Sequence, residues 1–260
     1  MATLEFLVNV WRLNLKAAVS LRGAFLLQTG MMFLNNLLYF TFWWVLFGRF
    51  EQIGGWRIAD MLVLYSLVAA SFGLAVVAGG GARDLGRVIL DGGLDGYLTQ
   101  PKDPLLAVVA SRLSASGIGD LVSGLVLLAL SGKLTLTTAP LALIAILSGA
   151  LVFVAAAVIF QAVVFWLGDV ASLARQAWEF LIAFSTQPES IFGGPLRLLL
   201  FTLMPAGFAG FLPARLVRDP SWFAFFGTVG GAIVFTLLAV MVFRRGLRRY
   251  ASGNQVLVRA

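Results

Sequence analysis

Apolar residues in this chain form long unbroken runs separated by short polar stretches, without the alternation of half-buried strands. Four runs are plain: residues 23–47, 58–78, 141–166 and 223–243. Each is close to the roughly 20 apolar residues with which an α-helix crosses the hydrocarbon core of a bilayer. A fifth lies within 104–130 and is unusually rich in Ser and Gly. A sixth crossing has to come from 170–211, where two shorter helices compete. The first, 170–185, carries Arg175 and Glu179; the second, 196–211, is interrupted by Pro205 and bounded by Pro195 and Pro213. Either the first lies at the surface and the second crosses, or the first crosses and the second, 196–213, dips in and returns. A short run broken by proline makes a poor span, which favours the re-entrant version. Both versions give the same topology.

Residues 1–22 follow another pattern. Glu5, Asn9, Arg12, Lys16 and Ser20 recur at three- and four-residue steps, with Leu4, Leu7, Val8, Trp11, Leu15 and Val19 on the opposite face. That pattern predicts an amphipathic helix lying in the membrane interface, not a cleavable leader. The Trp43-Trp44 pair suits a membrane–water boundary. Basic residues orient the whole. The ends and even-numbered loops hold Arg12, Lys16, Arg22, Arg83, Arg87, Lys102 and the cluster Arg244, Arg245, Arg248 and Arg249. The odd loops hold Arg49, Arg57, Lys133, Arg215 and Arg218. The excess predicts both termini in the cytoplasm. The expected fold class is thus an all-α integral membrane protein: an interfacial helix (1–22), then a six-span domain (23–260).

Composition agrees with this and narrows the chemistry. Of 260 residues, 60% are hydrophobic and 12% charged, about half the charged share of a soluble domain. The net charge of +7 sits at the flanks of apolar runs, which points to a membrane surface and away from nucleic acid. Cysteine and histidine are both absent. That excludes disulfides, thiolate nucleophiles and Ser-His hydrolase triads, and removes the commonest metal ligand. Gly79-Gly80-Gly81 precedes Arg83-Asp84, but with no strand before it and no lysine where phosphates would need one, it predicts a glycine hinge and not a phosphate cradle. The 12 acids are scattered. No catalytic, cofactor-binding or metal-binding residue is expected on this chain.

The informative polar stretch is 82–103, from Ala82 to Asp103. Leu85, Val88 and Ile89, then Leu94, Tyr97 and Leu98, repeat at helical spacing around Gly92-Gly93, while Arg87, Asp91 and Asp95 are polar. This predicts two short helices joined by a glycine turn, whose apolar residues need a cover: a partner protein or lipid headgroups. Inside the spans, Asp120 is a functional-site candidate by default, with Arg112 two turns earlier and Ser116 and Gly119 nearby. Asn35, Asn36 and Gln161 suit interhelical hydrogen bonds. Gly227 and Gly231 mark a small-residue packing face on the last run.

The run Val88-Ile89-Leu90-Asp91-Gly92-Gly93-Leu94-Asp95-Gly96-Tyr97-Leu98-Thr99-Gln100-Pro101 resembles the first cytoplasmic loop of the ABC-2 type exporter permeases. It is closest to a six-span branch formerly labelled a domain of unknown function. Gln187-Pro188-Glu189-Ser190-Ile191-Phe192, Leu196-Arg197, Met204-Pro205 and Leu212-Pro213-Ala214 are similar to that branch's late region, and Gly246-Leu247-Arg248-Arg249-Tyr250 to its C-terminal signature. The resemblance implies a permease subunit of an ATP-driven exporter in a bacterial inner membrane. Its partners would be a separate ABC ATPase, which holds ATP and Mg, and a second permease copy or related paralogue. It implies that 82–103 is a coupling helix docking that ATPase, through Arg83, Asp84, Arg87, Asp91, Leu94, Asp95 and Tyr97. Asp120, Asn35 and Gln161 become candidates for the translocation path. The alternative is an ion-coupled secondary transporter or channel, which needs no ATPase; a membrane scaffold without transport is a third class.

Overall fold

A computed structural model describes residues 2–250. Its elements are α1 (Ala2–Ser20), α2 (Arg22–Phe47), α3 (Ile58–Ala78), a 3-10 turn (Gly80–Asp84), α4 (Leu85–Leu90), α5 (Asp95–Leu98), α6 (Pro104–Ala110) and α7 (Ala115–Leu130). There follow α8 (Ala139–Ala162), α9 (Val164–Leu167), α10 (Ala171–Ser185), α11 (Gly194–Leu199), α12 (Leu212–Arg218) and α13 (Trp222–Leu247). Among the described residues no β-strand forms; Ile53 and Trp56 share one isolated bridge.

Four helical stretches are long and apolar enough to cross a bilayer: Arg22–Phe47, Ile58–Ala78, Ala139–Leu167 and Trp222–Leu247. They fall on the four plain runs. The run at 104–130 is not one straight helix: Pro104–Ala110 and Ala115–Leu130 meet at 76°. Within the break the backbone N–H of Ser114 donates to the Val76 carbonyl (3.1 Å) and the Ser111 hydroxyl to that of Val108 (2.7 Å). Glycine makes the bend packable. A Cβ on Gly81 would collide with the Val108 carbonyl, and one on Gly80 would lie 2.9 Å from that of Arg112. The glycine triplet therefore lets one backbone rest on another.

α3 and α8 are the most buried stretches. α3 packs on α7 with little side chain between them: Gly73 faces the backbone of Gly117 and Leu121, and Gly124 faces Ser66 and Ala70. Such close approach is how helices associate where lipid removes the hydrophobic drive. α2 buries only Asn36 and Trp43. The two tryptophans thus divide, Trp43 turned inward and Trp44 exposed.

α1 lies across one end of the bundle. Trp11 Nε1 donates to the Ala78 carbonyl (2.8 Å) and Asn14 Nδ2 to that of Ala110 (3.0 Å), while Leu4, Val8, Leu15 and Val19 stay exposed. The same end holds the 82–103 segment, and Ala171 at the start of α10 packs near Gly86. At the far end Ser190, beyond α10, packs on Gly54. The 196–213 region is broken as its prolines predict. α11 ends at Leu199, an irregular stretch carries Met204-Pro205, and a π-helical turn over Gly207–Phe211 runs into α12. Gly227 and Gly231 pack on Leu212 and Phe208 of this region, so the small-residue face serves a neighbouring element.

Candidate functional site

The 82–103 segment is built as two helices around a glycine turn: α4 ends at Leu90, Gly92 takes φ +70, and α5 begins at Asp95. Half of its apolar residues need no outside cover. Leu85 and Leu94 are fully buried and Ile89 nearly so, within this chain's own core. Leu94 therefore braces the segment from beneath. Arg87, Leu90, Asp91 and Leu98 are exposed, with Asp95 and Tyr97 half-buried beside them. Arg83 lies 4.6 Å over the Trp178 ring and 3.8 Å from Glu179, which ties the turn to α10. Asp84 pairs with Arg112 at 2.9 Å, tying it to the break between α6 and α7. Gly86 leaves room for the Gln161 side chain, whose Oε1 a Cβ there would strike.

The C-terminal signature meets the same segment. Phe165 packs on Phe243 (5.8 Å between rings), on Tyr250 (6.3 Å) and on bare Gly246. Burial first, and the neighbouring Asp95 carboxylate second, push the Tyr250 phenol up to about 12. The phenol thus stays protonated at any physiological pH where the chain just after α13 meets the Asp95 carboxylate of α5.

A polar network lies within the bundle. Asn36 Nδ2 donates to Asp120 Oδ1 and Ser123 Oγ, both at 2.8 Å, and its Oδ1 accepts from the Tyr65 hydroxyl at 2.7 Å. Asp120 is 2% exposed, and its Oδ2 has no hydrogen-bond partner among the described residues. Tyr39 stacks on Tyr65 (4.8 Å), and its hydroxyl accepts from Gln187 Nε2 (2.7 Å) just beyond α10. Of the three path candidates, only Asp120 belongs to this network. Asn35 is exposed, and Gln161 sits at the end of α8 beside Gly86, its Oε1 buried without a partner. Asn36, Tyr39 and Trp43 share one face of α2 by spacing, but Asn35, Tyr39 and Phe42 do so equally, so the sequence does not mark which face carries the network.

At the opposite end, Asp60 uses both carboxylate oxygens. Oδ1 accepts from Arg218 Nε (2.8 Å), and Oδ2 from the backbone N–H of Arg57 (3.0 Å). Arg218 also lies 4.0 Å over the Trp56 ring. This cluster joins the loop before α3 to the end of α12; in the sequence Arg57 and Arg218 counted only toward orientation, and nothing there pairs either with Asp60 or Trp56. No group of three or more acidic side chains is placed to hold a metal among the described residues.

Long apolar helices, small-residue helix contacts and a polar segment folded against one end define a multi-pass α-helical membrane protein. Residues 33–253 match the family model of the ABC-2 family transporter proteins, and the chain belongs to that family. No curated protein and no solved structure matches it. Members of this family are generally the non-catalytic membrane component of an ABC transporter.

Proposed function

We propose that this chain is the permease subunit of an ATP-driven exporter, working beside a separate ABC ATPase that binds ATP and Mg. The supporting observation is the 82–103 segment. It is braced from beneath by Leu85, Ile89 and Leu94, tied by Arg83 to α10 and by Asp84 to the break between α6 and α7, and leaves Arg87, Leu90, Asp91 and Leu98 exposed. A stiff, braced projection can transmit a push, which a mobile loop cannot. Two copies, or this chain with a paralogue, would enclose the path above two ATPase subunits. ATP binding would then shift the spans between inward- and outward-open states by displacing this segment.

In this reading the chain crosses six times, and its basic residues put both termini in the cytoplasm of a bacterial cell. α10 starts beside the 82–103 segment, and the residues beyond it reach the Gly54 loop at the other end. Its 15 residues span about 22 Å at 1.5 Å each, and the following stretch covers the rest. The 196–213 region then enters and leaves from the outer side as a re-entrant element, anchored by Arg218 on Asp60. α1 would serve as the interfacial connector. The burial of Asp120 and Asn36 favours holding α2, α3 and α7 together over touching a passing substrate.

The test is purification of the tagged chain from its native membrane. A P-loop ATPase is expected to co-purify, and Leu98→Asp is expected to abolish permease-dependent stimulation of its hydrolysis while leaving the permease folded. Full stimulation with Leu98→Asp would remove the docking role. Absence of any ATPase would turn the assignment to an ion-coupled transporter.

A further inference from the structure

A cleft of about 460 Å³ opens where α1 turns into α2, within the size range of small-molecule sites. Its two walls differ in kind. Ala18, Leu21 and Phe25 form one; Arg83, Arg112 and Arg175, from three separate elements, line the other. Asp84 is the one carboxylate in the lining. It is engaged by Arg112 at 2.9 Å, while Arg83 meets Glu179 at 3.8 Å in the open. Arg175 makes no ion pair with any described residue. The cleft thus keeps surplus positive charge facing an apolar surface.

Its position sets what can reach it. The exposed Leu4, Val8, Leu15 and Val19 of α1 need an apolar cover, so α1 lies at the headgroup–acyl boundary and the cleft opens at that depth. A small soluble anion would have no use for Leu21 and Phe25. An uncharged tail would have none for three guanidinium groups. Guanidinium forks suit phosphate oxygens, and basic pockets between helices on the cytoplasmic side take anionic headgroups.

We propose that this cleft binds the phosphate headgroup of an anionic lipid from the leaflet bordering α1. The guanidinium groups of Arg175, Arg83 and Arg112 hold the phosphate, and the first acyl carbons lie on Leu21 and Phe25. The bound lipid joins α1, the 3-10 turn, the α6–α7 break and α10, which are the supports of the 82–103 segment. The inference rests on the membrane topology proposed above but not on the ATPase, and it is measured on the permease alone.

Native mass spectrometry of the full chain, offered equimolar phosphatidylglycerol and phosphatidylcholine in detergent, tests it. Phosphatidylglycerol is expected to be retained preferentially, with Arg175→Gln lowering that retention about fivefold, the usual worth of one arginine at an anionic surface. Arg175→Lys should retain part of it, and Arg215→Gln, at the other end of the molecule, all of it. Arg112→Gln provides a second variant should Arg175→Gln fold poorly, with the same loss expected. Equal retention of the two lipids, or unchanged retention in both glutamine variants, would overturn the site. Displacement of the lipid by equimolar inorganic phosphate would also overturn it, by showing an anion site that ignores the tail.

Discussion

At Asn36 one amide does three things: both its N–H bonds are given, to Asp120 and Ser123, and its oxygen is taken by Tyr65. Alanine there strands a buried carboxylate and the Tyr65 hydroxyl at once, while the Ser123 hydroxyl keeps its bond to the Asp120 carbonyl. Asn36→Ala is expected to destabilise the bundle by about 1–3 kcal/mol, the cost of leaving buried polar partners unmade, measured by thermal unfolding in detergent. Asp120→Asn should cost clearly less, because an amide oxygen can still accept from Asn36 Nδ2. A larger loss from Asp120→Asn than from Asn36→Ala would mean that the negative charge itself matters. The sequence made Asp120 and Asn36 visible as polar exceptions in apolar runs, but not as partners, since 84 positions separate them. It could not choose between Asn35 and Asn36 either. Adjacent residues point about 100° apart on a helix, and α2 is apolar on nearly every side, so no polar stripe marks which face turns inward. Tyr39 and Tyr65 were hidden for a related reason: an aromatic ring in an apolar run looks like lining until its hydroxyl finds a partner.

At the scale of elements, the apolar runs placed the four straight spans well, because crossing a bilayer demands length and hydrophobicity that sequence displays directly. The bent run at 104–130 was less legible. Its Ser and Gly content was plain, but the 76° bend depends on Gly80 and Gly81 arriving from another element. Gly81→Ala is therefore expected to destabilise by about 1–3 kcal/mol through overpacking against the Val108 carbonyl. Gly96→Ala, where a Cβ meets nothing within 4 Å, should be neutral or slightly stabilising. Thermal unfolding of both variants checks the contrast, and equal effects would remove the close-approach explanation for the triplet. The 82–103 segment shows the same limit. Its periodicity revealed two short helices, but which apolar residues face inward depends on the helices beneath. Leu94 is fully buried and Leu98 substantially exposed, so Leu94→Asp should lower the yield of folded protein while Leu98→Asp should not. Comparing size-exclusion profiles of the two variants separates bracing from docking.

The arrangement of the whole molecule turns on α10, which is too short by itself to cross about 30 Å of hydrocarbon yet has neighbours at both ends of the bundle. Gly86 at one end and Gly54 at the other bracket it. If it lay along the surface, residues 169 and 191 would emerge on the same side of the membrane; if it crosses, they emerge on opposite sides. The chain is well suited to deciding this, since it contains no cysteine and any introduced thiol reports without background. Asp169 is exposed before α10, Ile191 is 54% exposed beyond it, and Leu136, between α7 and α8, is 95% exposed. A membrane-impermeant maleimide added to intact cells is expected to label Leu136→Cys and Ile191→Cys, and to reach Asp169→Cys only after permeabilisation. Labelling of Ile191→Cys only from inside would lay α10 along the surface and force 196–213 to cross. Inside-only labelling of Leu136→Cys would invert the protein, moving the 82–103 segment away from any cytoplasmic ATPase. Because Asp60 grips Arg218 at the same end as Ile191, the crossing of α10 also decides whether that ion pair is an outer fastening. With α10 across the membrane, a push on the 82–103 segment reaches Arg83, then Trp178 and Glu179 on α10. Through Gln187 beyond its end, that helix touches the Tyr39–Tyr65 pair, so one short helix connects the 82–103 segment to the interior of the bundle.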